Sequence, residues 1–362
     1  MSGVTNDLIN KSKKISKNFS LSEYDTLVST GEQAACSLIA GRLIEKGILS
    51  RSWLAWQIPI ITEGAHKYSR ITRINRTKIR GFLKKGGIPI ISGFQGINKD
   101  GRVTTIGRGG SDASAIMFAK FFNAQKCIIY TDVEGVYTTD PNKLKKAKKI
   151  KIISYEEMLE MASLGAKVMQ PVSIQDARLN RINIEVKSTF SKKSGTLITK
   201  RSNIKNNRII TGISFTQNDA KITLVGVKDK PGVAASIFKP LSKNSINVDM
   251  VVQNISAYGK ETDLTFTIKN EFVNKTKKII YENKSIKFRS LLINKNVSKV
   301  SIIGVGMITT PGVTYRMFQT LANNKINIQV ISTSEIKISV LINKNSVHKA
   351  IASLHKEFNL NK

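Results

Sequence analysis

The sequence predicts an α/β region with a mostly parallel sheet over 1–198, a polar linker at 199–208, and two ferredoxin-like βαββαβ units at 209–290 and 291–362. Three observations carry this. Short apolar runs alternate with stretches of helical period up to about residue 195, the polar run TKRSNIKNNR interrupts them, and residues 221–256 return in similar form at 299–334. At 362 residues, 41% hydrophobic and 23% charged, the chain has material for two or three domains with full cores.

Taken in order, TLVSTGEQAACSLIAGRLIEKG (26–47) has helical spacing, and IPIISGFQG (88–96) reads as a buried strand ending in glycines. TTIGRGGSD (104–112) leads from a β-branched run into the helix ASAIMFAKFFNA, and KCIIYTDV (126–133) is the next strand. The basic run KLKKAKKIK (143–151) reads as a solvated face ahead of the helix YEEMLEMASLGAKVM, where Ser154 caps and Glu157 completes a capping box. INIEVKSTF (182–190) is a further strand. In each repeat a strand ending in Gly-Val passes through a turn with Pro-Gly-Val into a helix carrying Phe238 and Leu241, or Phe318 and Leu321. An INV or INI strand, then LTFTIKN or KISVLIN, and a last helix complete each copy. The Pro-Gly pair either shapes the turn alone or leaves helix N-terminal amides open to a small anion such as an amino-acid carboxylate.

Composition excludes several classes. No apolar run reaches the roughly 18 residues a membrane span needs, and the first residues lack the apolar centre of a signal peptide, so a cytoplasmic location is expected. Cys36 and Cys127 lie in apolar stretches without CxxC spacing, which predicts core thiols, no disulfide and no protein-held metal. The net charge of +33 raises nucleic-acid binding, but the lysines are spread along the chain among Asn and Ile, aromatics are 7%, and no nucleic-acid motif occurs; no nucleic-acid partner is expected.

The residues with chemistry cluster in two loops. Gly107, Gly109 and Gly110 permit strained turns and close approach to a ligand, and Arg108 offers a planar fork to a carboxylate or phosphate. Ser111 and Asp112 open the following helix, where free N–H groups favour anions. The second loop, YTDVEGVYTTDP (130–141), follows another strand end with a glycine, hydroxyls, carboxylates and a tyrosine. Ligands of open α/β sheets bind outside the carboxyl ends of strands, so two such loops suit two substrates.

These motifs, with VSTGEQ, SRSWLAWQIPI, SYEEMLEMASLGAKVMQ, VKDKPGVAASIF and QVISTSEIKISVLI, occur in the order found in aspartokinases, and the sequence closely resembles that family from Met1 nearly to its end. The resemblance implies a three-layer amino-acid-kinase fold followed by two ACT domains. The implied activity is phosphorylation of the β-carboxylate of aspartate by ATP with Mg2+, the entry step to lysine, threonine, methionine and diaminopimelate. A carboxylate is already ionised at pH 7, so such a kinase needs positioning and charge neutralisation rather than a general base. That agrees with a chain whose only histidines are His66, His348 and His355.

Carried over from the family, aspartate meets Thr5, Glu32, Arg108, Gly109, Gly110, Ser111 and Asp112, with Arg108 and Asp112 as the catalytic pair. Without the resemblance, Thr5 reads as a helix cap and Glu32 as a surface residue. ATP is implied to meet Thr131, Asp132, Val136, Tyr137, Thr138, Thr139, Asp140, Pro141, Lys167 and Val168. Where the family carries DPR this chain has Asn142, leaving Lys143 as the neighbouring cation. Effector contacts fall on Asp229, Lys230, Pro231, Gly232, Val233, Ala234, Asn247, Val248, Asp249 and Gln253 in the first copy. In the second they fall on Val313, Thr314, Asn327, Ile328 and Ser334. The resemblance further implies threonine or lysine as regulators and a homodimer, or a multiple of one, built through ACT domains. Kinases acting on glutamate, acetylglutamate or uridylate share the fold without the paired ACT repeat. Aspartokinases open with a Lys-Phe-Gly-Gly-Thr-Ser loop, and Met1 coincides with the Met of a later family motif. The 362 residues alone are accordingly expected to turn over poorly, and a non-catalytic regulatory subunit is the alternative reading.

Overall fold

The structure, a computed structural model, describes residues 3–107, 109–165, 168–204, 208–255, 261–283 and 285–361. It divides into two compact units: the first holds Met1–Gly135, Lys151–Ala162 and Lys167–Ile204, the second Val136–Ile150, Ser163–Ala166 and Lys205–Lys362.

The first unit runs α1 (Val4–Ile15), α2 (Leu21–Glu45), β1 (Ser50–Trp53), β2 (Ile60–Glu63), β3 (Arg70–Ile74), α3 (Thr77–Lys84), β4 (Ile88–Ile91), β5 (Gln95–Ile97), β6 (Val103–Thr105), α4 (Gly110–Phe122), β7 (Cys127–Thr131), β8 (Ile152–Ser154), α5 (Tyr155–Ser163), α6 (Pro171–Asn180), β9 (Ile184–Ser188) and β10 (Thr196–Thr199). Of its seven strand pairings among the described residues, four are parallel: β1 with β4, β2 with β5, β7 with β9, and β8 with β10. The antiparallel ones, β2–β3, β5–β6 and β9–β10, join strands separated by short loops that have no room for a crossover helix. Trp53, Ile58, Ile60 and Ile79 form a core against which Phe82 and Phe118 pack. Cys36 and Cys127 are both buried free thiols, as expected.

The capping box forms as the sequence predicts. Ser154 Oγ donates to Glu157 Oε2 at 2.7 Å, and the Glu157 N–H donates back to Ser154 Oγ at 3.2 Å. Upstream, Lys145, Lys146 and Lys148 are exposed. The helix is shorter than its apolar pattern. It ends at Ser163, and Gly165 follows at φ +113°, where a Cβ would stand 2.7 Å from the Phe215 carbonyl oxygen.

The second unit continues with β11 (Gly212–Lys228), α7 (Val233–Lys243), β12 (Asp249–Ile255), β13 (Glu261–Lys269), α8 (Val273–Glu282), β14 (Ser290–Ile303), α9 (Val313–Asn323), β15 (Ile328–Ser334), β16 (Lys337–Asn343) and α10 (Val347–Glu357). One antiparallel sheet takes the order β12-β13-β11-β14-β16-β15. Two cores lie in it, one around Ile237, Leu241 and Phe266 and the other around Met317, Leu321 and Val340, so the repeated helices do equivalent jobs.

The sequence reading sets the copies at 209–290 and 291–362; in the sheet, residues 212–216 pair with the second copy. The long strand β11 changes register between Thr216 and Lys221; its later part pairs with β13 and with the first part of β14, whereas Gly212–Thr216 pairs with Lys299–Ile303. The second copy closes on α10 and takes its fourth strand from residues ahead of the first copy. A core needs that strand wherever it lies in the chain, because an uncovered edge would leave backbone groups unpaired.

Candidate active site

The glycine loop is shaped by its own protein neighbours. Gly107 and Gly109 sit at φ +82° and +72°, a conformation that disfavours any Cβ, and Gly109 is the N-cap of α4. A Cβ on Gly109 would stand 2.3 Å from Gln170 Cγ, and one on Gly110 would stand 2.8 Å from a ring carbon of Phe94. At 109 and 110 the missing side chain makes room for Gln170 and Phe94. Phe94 is itself at φ +66°, rare for an aromatic residue. The Phe94 N–H donates to Ser114 Oγ at 2.9 Å, and that hydroxyl donates to the Gly110 carbonyl at 2.7 Å, so the turn after β4 is tied to the start of α4. Arg108 and Lys167 lie outside the described residues.

Ser111 and Asp112 occupy the first turn of α4, where N–H groups have no partner within the helix. Glu32 on α2 and Ser111 line one cavity of about 580 Å³, with Cys36, Ser114, Phe118 and Cys127 among its other walls. Burial raises the carboxyl pKa of both Glu32 and Asp112. It pushes the Cys127 thiol up to about 11, with the charge of Asp112 adding to it. Glu32 is half-buried rather than a surface residue. Thr5 stands in the first turn of α1 beside Gly31, its Oγ1 3.9 Å from where a Cβ of that glycine would be. Gly31 lets α1 lie against α2 next to Glu32.

Two polar centres escaped the sequence reading. Asp25, fully buried on α2, accepts from His66 Nδ1 at 2.7 Å, the Lys67 N–H at 3.0 Å and Thr105 Oγ1 at 2.6 Å. It ties α2 to the end of β6, two residues before Gly107. Gln95, also fully buried, donates to Ser92 Oγ and the Ser29 carbonyl and accepts from Gln33. An aspartate in SEYDTLV and a glutamine in a strand carry no signal until their partners are known.

The second loop divides between the units. In the first, Thr131 Oγ1 donates to Asp132 Oδ1 at 3.1 Å at the end of β7, and Val168 is half-buried. In the second, Val136, Thr138 and Thr139 are buried, Tyr137 bridges to Lys149, and Pro141 is exposed. Among the described residues Thr139 Oγ1 has no hydrogen-bond partner. Asp140 Oδ1 accepts the Asn142 N–H at 2.9 Å and so shapes the turn at that position. Among the described residues no group of three or more His, Cys, Asp or Glu is placed to hold a metal, and no helix is long and apolar enough to cross a membrane.

The anticipated effector residues gather at two equivalent places. Gly232 and Gly312 are the N-caps of α7 and α9 at φ +87° and +83°, and a Cβ on either would meet nothing within 4 Å. These glycines serve the backbone angle, and the space beside them is open. Asp229, Lys230, Pro231, Ala234, Asn247 and Gln253 are exposed, and Val233 and Val248 half-buried. Thr314, Asn327 and Ser334 are exposed, Ile328 is half-buried and Val313 is buried. Asp249 has a protein partner: it pairs with the buried Lys299 Nζ. Burial raises the Asp249 pKa, but the Lys299 hydrogen bond and charge and the Met250 N–H outweigh it, holding the group below its ordinary value. The edge strands β12 and β15 approach over one face of the sheet, where Met250, Val330, Val297 and Leu341 form a cluster with Val252.

The amino acid kinase family model matches residues 1–188, and an ACT domain model matches 222–283 and again 300–358. The aspartokinase of Pseudomonas aeruginosa is 43% identical over 363 residues, spanning 99% of this chain and 88% of that protein. Among solved structures, the aspartate kinase of Clostridium acetobutylicum superposes with a TM-score of 0.80 at 25% identity, covering 96% of this chain and 78% of that one. Aspartokinase III of E. coli in complex with lysine and aspartate superposes at 0.78 and 25% identity, covering 94% and 76%. With that identity over nearly its whole length, and a kinase region followed by a repeated ACT region, the chain belongs to the aspartokinase family of phosphotransferases.

Proposed function

We propose that Arg108, Ser111, Asp112, Glu32 and Thr5 hold the aspartate whose β-carboxylate this kinase phosphorylates, and that the loop 131–141 receives ATP. The observation that carries this reading is the convergence of Glu32 and Ser111 on one cavity beside the first turn of α4. A half-buried carboxylate opposite free helix amides suits a ligand bearing an ammonium and a carboxylate. Arg108 clamps the substrate carboxylate by its fork, with Asp112 following in the first turn of α4. Mg2+ would be carried on the ATP phosphates, as is usual for an ion that keeps several waters and takes few protein ligands. The orphaned Thr139 hydroxyl in the second loop supports a polar ligand there. The complex of the E. coli neighbour with lysine and aspartate supports both as ligands here, aspartate as substrate and lysine as an effector that we place at the ACT domains of a homodimer.

Hydroxamate trapping of the acyl phosphate tests this on the full gene product. ATP-dependent hydroxamate from aspartate, absent with glutamate, is expected. Turnover that ignores aspartate would overturn the assignment.

A further inference from the structure

Val136–Ile150 packs as part of the second unit, and one residue does much of the fastening. The fully buried Thr138 donates its N–H to the Lys148 carbonyl at 2.9 Å and accepts the Ile213 N–H on its own carbonyl at 2.7 Å. Its Oγ1 accepts the Lys148 N–H at 3.0 Å and lies 2.9 Å from His355 Nε2, buried on α10. With the hydroxyl accepting from Lys148, its own proton points to Nε2, which suits a neutral imidazole protonated at Nδ1. Burial lowers the His355 pKa in the same sense. Four residues of α10, Val347, Ala350, Ile351 and Leu354, share a core with Val313, the first residue of α9 and an anticipated effector contact, and Leu144 packs on that core.

We propose that His355 is a positioning residue for the nucleotide loop: through Thr138 it fixes residues 137–141 on the regulatory core and so sets the affinity for ATP. This rests on the reading that the loop receives ATP. The Thr138–His355 bond is one link beside the Ile213 N–H and the packing of Leu144, so its loss is expected to act selectively on the loop rather than unfold it.

Steady-state kinetics of the full gene product, varying ATP and aspartate separately, tests it. His355→Leu is expected to raise KM for ATP by about 3- to 10-fold, the scale of one buried hydrogen bond, with KM for aspartate within about twofold. Thr138→Val is expected to do the same, and the double variant to add little to either single one, as for two partners in one interaction. His355→Gln, which keeps an acceptor, is expected to recover most of the ATP affinity. An unchanged KM for ATP in His355→Leu overturns the proposal, as does a drop in kcat with both KM values fixed, the mark of a smaller folded fraction. If His355→Leu does not fold, Thr138→Val decides by the same criteria. If the parent enzyme does not use aspartate at all, the functional reading fails instead, and calorimetric ATP binding to the same variants still decides the role of His355.

Discussion

Single side chains explain the glycine loop from two directions. Arg108 is proposed as a bidentate clamp, and an ammonium has no fork, so Arg108→Lys is expected to raise KM for aspartate at least about tenfold while KM for ATP changes little. Initial rates at varied aspartate check this; normal aspartate kinetics would sink the clamp. Gly109 answers to packing as well as conformation. Gly109→Ala places a Cβ at φ +72° and 2.3 Å from Gln170, whereas Gly232→Ala meets only the cost of its angle, about 1 to 2 kcal/mol. Urea unfolding should show Gly109→Ala as the more damaging; equal losses would mean that Gln170 moves away freely. The loop was legible in the sequence because glycine, arginine and a helix start stand side by side. Asp25 was not, since its three partners lie 41 to 80 residues away.

At the scale of elements, local chemistry and the mostly parallel sheet were legible, whereas the strand shared between the two copies was not. The Ser154–Glu157 box needs four residues and no tertiary knowledge. Ser154→Ala should cost about 1 kcal/mol in denaturant melts and shift nothing in effector binding. The Asp249–Lys299 pair is an element-level link between β12 and β14. A carboxyl whose folded pKa is lowered contributes stability above its unfolded value, near 3.9, and that contribution is lost as pH falls through the lowered value. Asp249→Asn should therefore destabilise the protein at pH 7, and the difference from the parent should shrink below about pH 4. A difference independent of pH would show that the charge pair is not responsible. Helix α5 ends early because Gly165 must pass the Phe215 carbonyl, a neighbour fifty residues on.

At the scale of the molecule, the two ACT copies share strands β11 and β14 and cannot separate as independent folds. The residues proposed to meet effectors lie, in both copies, at open helix N-termini and on or beside the edge strands β12 and β15. Calorimetry on the full chain should detect lysine or threonine binding, and sedimentation should show a dimer or a multiple of one. Asp229→Ala should weaken that binding by about 1 to 3 kcal/mol, the loss of one charged hydrogen bond. No heat with either amino acid, alone or together, would count against sensing.

The sequence by itself determined the alternation of an α/β region, the repeat with its Pro-Gly-Val turns, the capping box and the positions of both glycine-bearing loops. All of these are written in residues close together, where periodicity and backbone preference act without distant partners. Only the tertiary structure decided that residues 212–216 complete the last copy, that 136–150 belong with it through Thr138 and His355, and that Gln170 and Phe94 fill the space beside Gly109 and Gly110. A strand edge or a buried hydroxyl gains its free energy from whichever partner the fold brings to it, and that partner stands as many as 217 residues away.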